Sequence, residues 1–243
     1  MHMLIFDIGG KFAHYRKYDT NSSSLSYSAP PRTALSGLIA GIMGMERDSY
    51  YPFFVPERAK IGVRILTKNR RVMQTLNYLK LEGVKDFRFP KSHTQIPFEV
   101  LTNSQLVKYR IYFWHESEAF MKELEERLEN RRFYYTPYMG AAPFQCQIQR
   151  IGYEKAIRVN SGNPIPVSSV VRVEEVEENS VEFYGKKVRL SRERMPRFFQ
   201  EDRYLEQAAA YLMEIDGNPL TMKATGETVR VEYTYGQEFI TFL

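Results

Sequence analysis

The chain opens with an apolar run over residues 4–8 that alternates weakly, meets Gly9 and Gly10, and continues through Phe12 and Tyr15. Paired glycines inside a strand pattern mark a bulge or a close backbone approach, so an opening strand interrupted at that point is expected. Residues 19–24 are polar and turn-forming, and Pro30 and Pro31 prevent a helix from starting earlier. Beyond them Leu35, Leu38, Ile39 and Ile42 recur at i, i+3, i+4 and i+7, one apolar helical face that Gly44 would end. Gly37 and Gly41 lie inside this helix, where each costs about 1 kcal/mol relative to alanine. Close packing against a sheet is the reading favoured for them over backbone access for a ligand.

Residues 60–66 form a strand candidate, and residues 107–114 a stronger one: Val107, Tyr109, Ile111 and Phe113 alternate with Lys108, Arg110, Tyr112 and Trp114. Between them lies a basic excursion, irregular or hairpin-like, with Asn69, Arg70, Arg71, Arg88, Lys91 and His93 between strand candidates. Residues 117–130 read as a second helix, with Phe120, Leu124 and Leu128 on one face. Short β-branched or aromatic runs follow at 170–176, 181–183, 187–190, 228–235 and 239–243, with one helix expected around residues 202–214. This order predicts an α+β chain: a ferredoxin-like domain over residues 1–160 and a smaller, mostly β region over 161–243. The boundary falls in the 160–166 segment.

A chain of 243 residues with 43% hydrophobic and 26% charged side chains can bury a core without staples. Its one cysteine, Cys146, excludes an internal disulfide and fits a reducing compartment, so a cytoplasmic location is expected. No stretch has the roughly 18–20 apolar residues of a membrane span, and no signal-peptide pattern opens the sequence. Charge adds more. Residues 1–100 carry 15 Lys and Arg against 8 Asp and Glu, whereas the remaining 143 carry 19 against 21. The whole positive excess lies in the first part, which favours a polyanionic partner bound there.

Several chemistries lack support. His2, His14, His93 and His115 are scattered outside any metal-ligand cluster, so no metal or other cofactor is expected. The Gly9-Gly10-Lys11 run lacks the spacing of a phosphate loop, and neither a dinucleotide fingerprint nor a nucleophile elbow occurs. Glu174, Glu175, Glu177 and Glu178 read as a solvated edge rather than an acid/base pair.

The positive signal lies between residues 11 and 47. Lys11, His14, Arg16, Lys17, Arg32 and Arg47 are interleaved with Phe12, Tyr15, Tyr18 and Tyr27, beside polar Thr33. Cations neutralise phosphates and aromatic faces stack on unpaired bases, a mixture suited to single-stranded RNA.

The residues 6–17 (Phe6-Asp7-Ile8-Gly9-Gly10-Lys11-Phe12-Ala13-His14-Tyr15-Arg16-Lys17) lead into Ser26-Tyr27-Ser28-Ala29-Pro30-Pro31-Arg32-Thr33-Ala34-Leu35-Ser36-Gly37-Leu38-Ile39-Ala40-Gly41-Ile42-Met43-Gly44. This resembles the amino-terminal signature of the CRISPR-associated Cas-five family. The similarity continues through Thr75-Leu76-Asn77, His93-Thr94-Gln95 and Tyr138-Met139-Gly140. Its details look closest to the type I-B branch. The resemblance implies a repeat-associated (RAMP-type) RNA-binding fold that serves antiviral defence in a Cascade complex, gripping the 5′ handle of the guide RNA and capping the filament of backbone subunits. Implied partners are the guide RNA, the backbone subunit and the large subunit, with target DNA reached only indirectly and no membrane. A thumb within residues 69–97 would touch the backbone subunit. The candidate RNA-binding residues are Lys11, His14, Arg16, Lys17, Tyr18, Tyr27, Arg32, Thr33, Arg47, Asn69, Arg70, Arg71, His93 and Gln95.

The alternative is a metal-independent endoribonuclease that processes precursor CRISPR RNA, as in the type I-C branch. That reaction needs a base, an acid and a cation at the scissile phosphate. The cutting branch uses a tyrosine with an adjacent lysine and histidine, and here no histidine has a lysine next to it. No catalytic residue is therefore assigned and a binding role is expected, with Lys91 and His93 the nearest approach to the cutting pattern. A general single-strand-binding protein would account for the charge but not for the signature.

Overall fold

Alternation in the first strand and in the 107–114 segment sends one set of side chains to each face of a sheet, and both faces are covered. A computed structural model describes residues 1–81, 83–89, 92–160, 162–182, 187–200, 202–233 and 236–243. Phe183, Tyr235 and Lys91, which the sequence reading used, lie outside them. The elements run β1 (His2–Ala13), α1 (Arg32–Met43), β2 (Ala59–Ile65), β3 (Arg70–Leu79), a short α2 (Val84–Arg88), β4 (His93–His115), α3 (Glu118–Glu129) and β5 (Gln147–Arg158). Then follow β6 (Ile165–Val167), β7 (Val171–Arg172), β8 (Leu190–Phe199), β9 (Leu205–Glu214), β10 (Leu220–Met222), β11 (Thr228–Tyr233) and β12 (Gly236–Thr241). The result is a mixed, sheet-rich fold with few helices.

The main sheet has the order β10-β6-β12-β11-β5-β1-β4-β2, with β3 paired to the other half of the long β4. Within it β5, β1, β4 and β2 are mutually antiparallel neighbours. The pairing of β1 with β4 slips between Gly10 and Phe12, the irregularity expected at the paired glycines. Leu4, Phe6 and Ile8 of β1 share one buried cluster with Leu35, Ile39 and Ile42 of α1 and with Met121, Leu124 and Leu128 of α3. Met3 and Ile5 point the other way, into a second cluster with Tyr112, Val229, Val231 and Ile240. Each such buried side chain contributes roughly 1.5–3 kcal/mol, so the two-sided alternation is what fixes the register of β1. The first helix starts at Arg32 directly after the prolines and ends at Gly44, whose backbone is left-handed (φ 79°). The third is capped by Ser117, which accepts a hydrogen bond from the Phe120 amide.

One expected element is different. Residues 202–214 do not form a helix: Leu205–Glu214 is β9, paired along its length with β8 and at its end with β7. Glu206, Gln207 and the three alanines at 208–210 are good helix formers, but local propensity yields to the ladder and to the burial of Tyr211 and Met213 in the main core. The strand expected at 187–190 likewise begins only at Leu190 and extends to Phe199. β8 packs against α1, and the sheet continues across residue 160 through the pairing of β5 with β11.

Arg32, read from sequence as an RNA ligand, is 2% exposed and belongs to the core. Its guanidinium donates to the carbonyls of Phe54 (2.6 Å) and Ala59 (2.7 Å), tying the start of α1 to the entry of β2. Burial pulls its pKa down to about 10, which leaves it charged at neutral pH. Arg32→Met removes both donors and strands two acceptors, so a loss of about 2–4 kcal/mol in guanidinium-induced unfolding is expected. A stability equal to wild type would remove Arg32 from the fold.

Candidate nucleic-acid interface

After β1 the chain forms a strap, residues 14–28, that doubles back on itself and lies along the root of the β3–β4 hairpin. Backbone bonds run from Lys17 to Leu25 and from Tyr27 to Tyr15 across the strap, and from Ser24 to Pro97 and Glu99 to Ser24 along β4. Carboxylates then fasten it. Glu99 accepts from the Ser26 amide at 2.8 Å, and Glu193 of β8 accepts from the Ser28 amide at 2.8 Å and the Ser28 hydroxyl at 2.9 Å. The Arg71 guanidinium joins them, donating to Glu99 and to Glu193 at 2.9 Å each and to the Ser26 carbonyl at 3.2 Å. Burial pulls the Arg71 pKa down, but the two carboxylates outweigh it and the net shift is upward. Lys17 adds a weaker ion pair to Glu193 at 3.6 Å and lies over the Tyr27 ring.

This geometry sorts the sequence candidates. Lys11, Arg16, Tyr18 and Arg70 are exposed. Lys11 and Arg70 meet at the hairpin root, since Thr102 is the ladder partner of Arg70 and donates to the Lys11 carbonyl. Neither has a side-chain ion pair among the described residues. Among the described residues the Arg16 guanidinium has one hydrogen bond, to the Thr20 carbonyl at 3.4 Å. Asn69, half-buried beside them, accepts from the Thr67 hydroxyl.

Three expected ligands, however, face inward. Besides Arg32, Tyr27 is 1% exposed, its ring part of the core. His14 is 4% exposed, stacked on Phe98, and both its ring nitrogens are engaged: Nδ1 with the Glu99 carbonyl at 2.7 Å and Nε2 with the Ser24 hydroxyl at 3.0 Å. Tyr27 and Arg32 have no surface for a nucleic acid, and neither ring nitrogen of His14 is left for a proton relay to bound RNA. Arg71 and Lys17 are engaged internally by carboxylates. Glu193 and Glu99, which decide this, could not have been singled out from sequence, because Arg71 and Glu193 are 122 positions apart.

The remaining candidates fall elsewhere. His93 and Gln95 are exposed on β4 near the far end of the hairpin, where His93 pairs with Leu79. Nine residue steps of roughly 3.3 Å separate that end from Arg70, about 30 Å in all. Between them the hairpin exposes Met73, Tyr78 and Leu79, and beyond them at its tip Val84, Phe87 and Phe89. Thr33 and Arg47 line a separate groove between α1 and residues 134–140. Among the described residues no group of three His, Cys, Asp or Glu side chains is arranged to hold a metal ion, and no helix is long and apolar enough to cross a membrane.

No protein-family profile and no curated protein sequence matches the chain. Solved structures do. A CRISPR protein from Archaeoglobus fulgidus superposes with a TM-score of 0.55 at 13% identity, covering 98% of this chain and 99% of its own. The fold is that of CRISPR-associated proteins. A chain of a CRISPR RNA-guided surveillance complex matches with a TM-score of 0.51 at 14% identity, over 91% of each chain. Both matches run over nearly the whole of this chain.

Burial lowers the pKa values of His14 and His115 below their ordinary 6.5, against the opposing pull of a backbone carbonyl on each. The unfolded chain then binds protons before the folded one, so stability is full above pH 6.5 and declines as pH falls below it. The urea midpoint is expected to drop between pH 7.5 and pH 5.5, and less steeply in His14→Gln. A flat profile would mean that these imidazoles are not held neutral. Arg71→Ala leaves Glu193 buried without its main cation and is expected to cost about 3–5 kcal/mol, read as a lowered urea midpoint at pH 7.5; an unchanged midpoint would dismiss the cluster as a fastening.

Proposed function

We propose that this chain is a non-catalytic RNA-binding subunit of a type I Cascade interference complex, a Cas-five protein of the I-B kind that grips the 5′ handle of the guide RNA. The observation that carries this reading is the end-to-end fold match with CRISPR proteins, one of them a chain of an RNA-guided surveillance complex. The strand order β5-β1-β4-β2, with α1 and α3 as the crossovers, supports a ferredoxin-like, RAMP-type unit in residues 1–160 and a smaller β unit in 161–243. Lys11 and Arg70 at the hairpin root, and Arg16 and Tyr18 in the strap, supply the exposed cationic and aromatic side chains on which phosphates and bases would lie.

The hairpin supports the partner reading. Val84, Phe87 and Phe89 are 81%, 78% and 70% exposed, an apolar tip that water disfavours and a neighbouring backbone subunit would cover. The ribonuclease alternative finds less support, because the ring nitrogens of His14 are engaged by the Glu99 carbonyl of β4 and the Ser24 hydroxyl of the strap, and His93 stands about 30 Å from the root cations.

The purified protein should retain a labelled precursor repeat RNA in EDTA without cutting it. Its affinity should fall by about 0.7 log unit per log unit of salt for each phosphate contact, and Lys11→Ala, Arg16→Ala and Arg70→Ala should each flatten that slope by about 0.7. A flat salt response in the wild type would overturn the binding role. A discrete cut would move the function to the nuclease, with His93 the first residue to replace.

A further inference from the structure

Gly41 occupies the interior of α1, where glycine costs about 1 kcal/mol relative to alanine. Packing does not require it: a Cβ built there meets nothing within 4 Å. Gly37, one turn earlier, differs, since its Cβ would stand 3.0 Å from the Tyr50 hydroxyl. Close packing, the sequence expectation for both glycines, therefore holds for Gly37 alone. The space above Gly41 is a groove of about 460 Å³, within the range of roughly 300–1,000 Å³ typical of small-ligand sites.

The opposite wall is rigid and aromatic. The amides of Tyr134 and Tyr135 bond to the carbonyls of Ile42 and Gly41, and the His14 amide bonds to the Met139 carbonyl, so residues 134–140 are fixed to α1 and to the end of β1. Gly140 turns that wall with a left-handed backbone (φ 81°), and a Cβ there would collide with the His14 carbonyl at 2.2 Å. Tyr135 and Tyr138 line the groove while remaining 55% and 49% exposed. Arg47 stands at its edge with 79% of its side chain exposed. Among the described residues its one ion pair is to Asp48 at 3.4 Å, and that carboxylate is already held by Arg203 at 2.8 Å and the Tyr51 hydroxyl at 2.7 Å.

We propose that this groove seats one unpaired nucleotide of the guide RNA, its base against Tyr135 and Tyr138 over the bare backbone of Gly41 and its phosphate on Arg47. The inference rests on the guide-RNA reading and adds to it a second contact region, apart from the cations at the hairpin root. Aromatic faces on a fixed backbone, one loosely held cation and a helix left bare at Gly41 suit a flat anionic ligand. The size admits one base with its sugar and phosphate but not a duplex. A protein partner finds its apolar contact instead on the hairpin tip.

The test uses the full-length protein and a labelled single-stranded repeat RNA. Gly41→Ala should raise Tm by roughly 2–4 °C, because only helix propensity changes. Gly41→Leu fills the groove from its floor and should fold as wild type while weakening RNA binding by about 10-fold or more. Tyr138→Ala should weaken it by about 5- to 150-fold with little change in salt slope, the signature of lost stacking rather than a lost phosphate. A 4-thiouridine-substituted probe should crosslink to the 134–140 segment in wild type and not in Gly41→Leu. If a stable Gly41→Leu protein binds RNA as tightly as wild type, with the salt slope still dependent on Lys11 and Arg70, the groove assignment falls and the guide-RNA reading stands. Failure of wild type to bind RNA at low salt overturns both. Loss of co-purification with another subunit, with RNA affinity intact, would make the groove a protein contact and also overturns the proposal.

Discussion

The pairing of Arg71 with Glu99 and Glu193 is the contact on which the arrangement of this molecule depends. One guanidinium connects three parts of the chain that have no sequence proximity: the strap after β1, the root of the β3–β4 hairpin and strand β8 of the carboxy-terminal region. Two carboxylates with little exposure need partners at that position, and the strap supplies the amides of Ser26 and Ser28 beside the guanidinium. The strap is thereby held along β4.

That cluster also redistributes the charge. The positive excess of the first 100 residues looks like a uniform basic surface, yet part of it is spent internally on the carboxylates of Glu99 and Glu193. Lys11 and Arg70 stay exposed at the hairpin root and Arg47 beside the α1 groove, while the hairpin tip presents Val84, Phe87 and Phe89 alongside Lys85 and Arg88. The β3–β4 ladder separates the hairpin root from its far end by about 30 Å.

Much of the amino-terminal half is legible in the sequence because its signals are local. The slip at Gly10, the start of α1 after Pro31 and the cap of α3 at Ser117 depend on neighbours within a few positions. The hairpin at 70–102 was foreseen as a basic excursion, though not as a regular ladder, because its exposed β3 lacks clean alternation. Beyond residue 160 the signals weaken. The segment 205–214 reads as helix from its alanines, and only pairing with β8 and burial of Tyr211 and Met213 make it a strand.

By itself the sequence determined the alternating strands, the two amphipathic helices, the concentration of positive charge before residue 100 and the cluster of aromatic and basic residues between 11 and 47. The tertiary structure alone decided which members of that cluster face out. Arg32, His14 and Tyr27 turn inward because their partners, backbone carbonyls and core side chains, come from other elements. Arg71 is claimed by a carboxylate 122 positions away, and the α1 groove exists only where residues 134–140 fold back on the helix. Charge and aromatic content are additive along a chain, but exposure depends on contacts between distant segments, and those are set by packing.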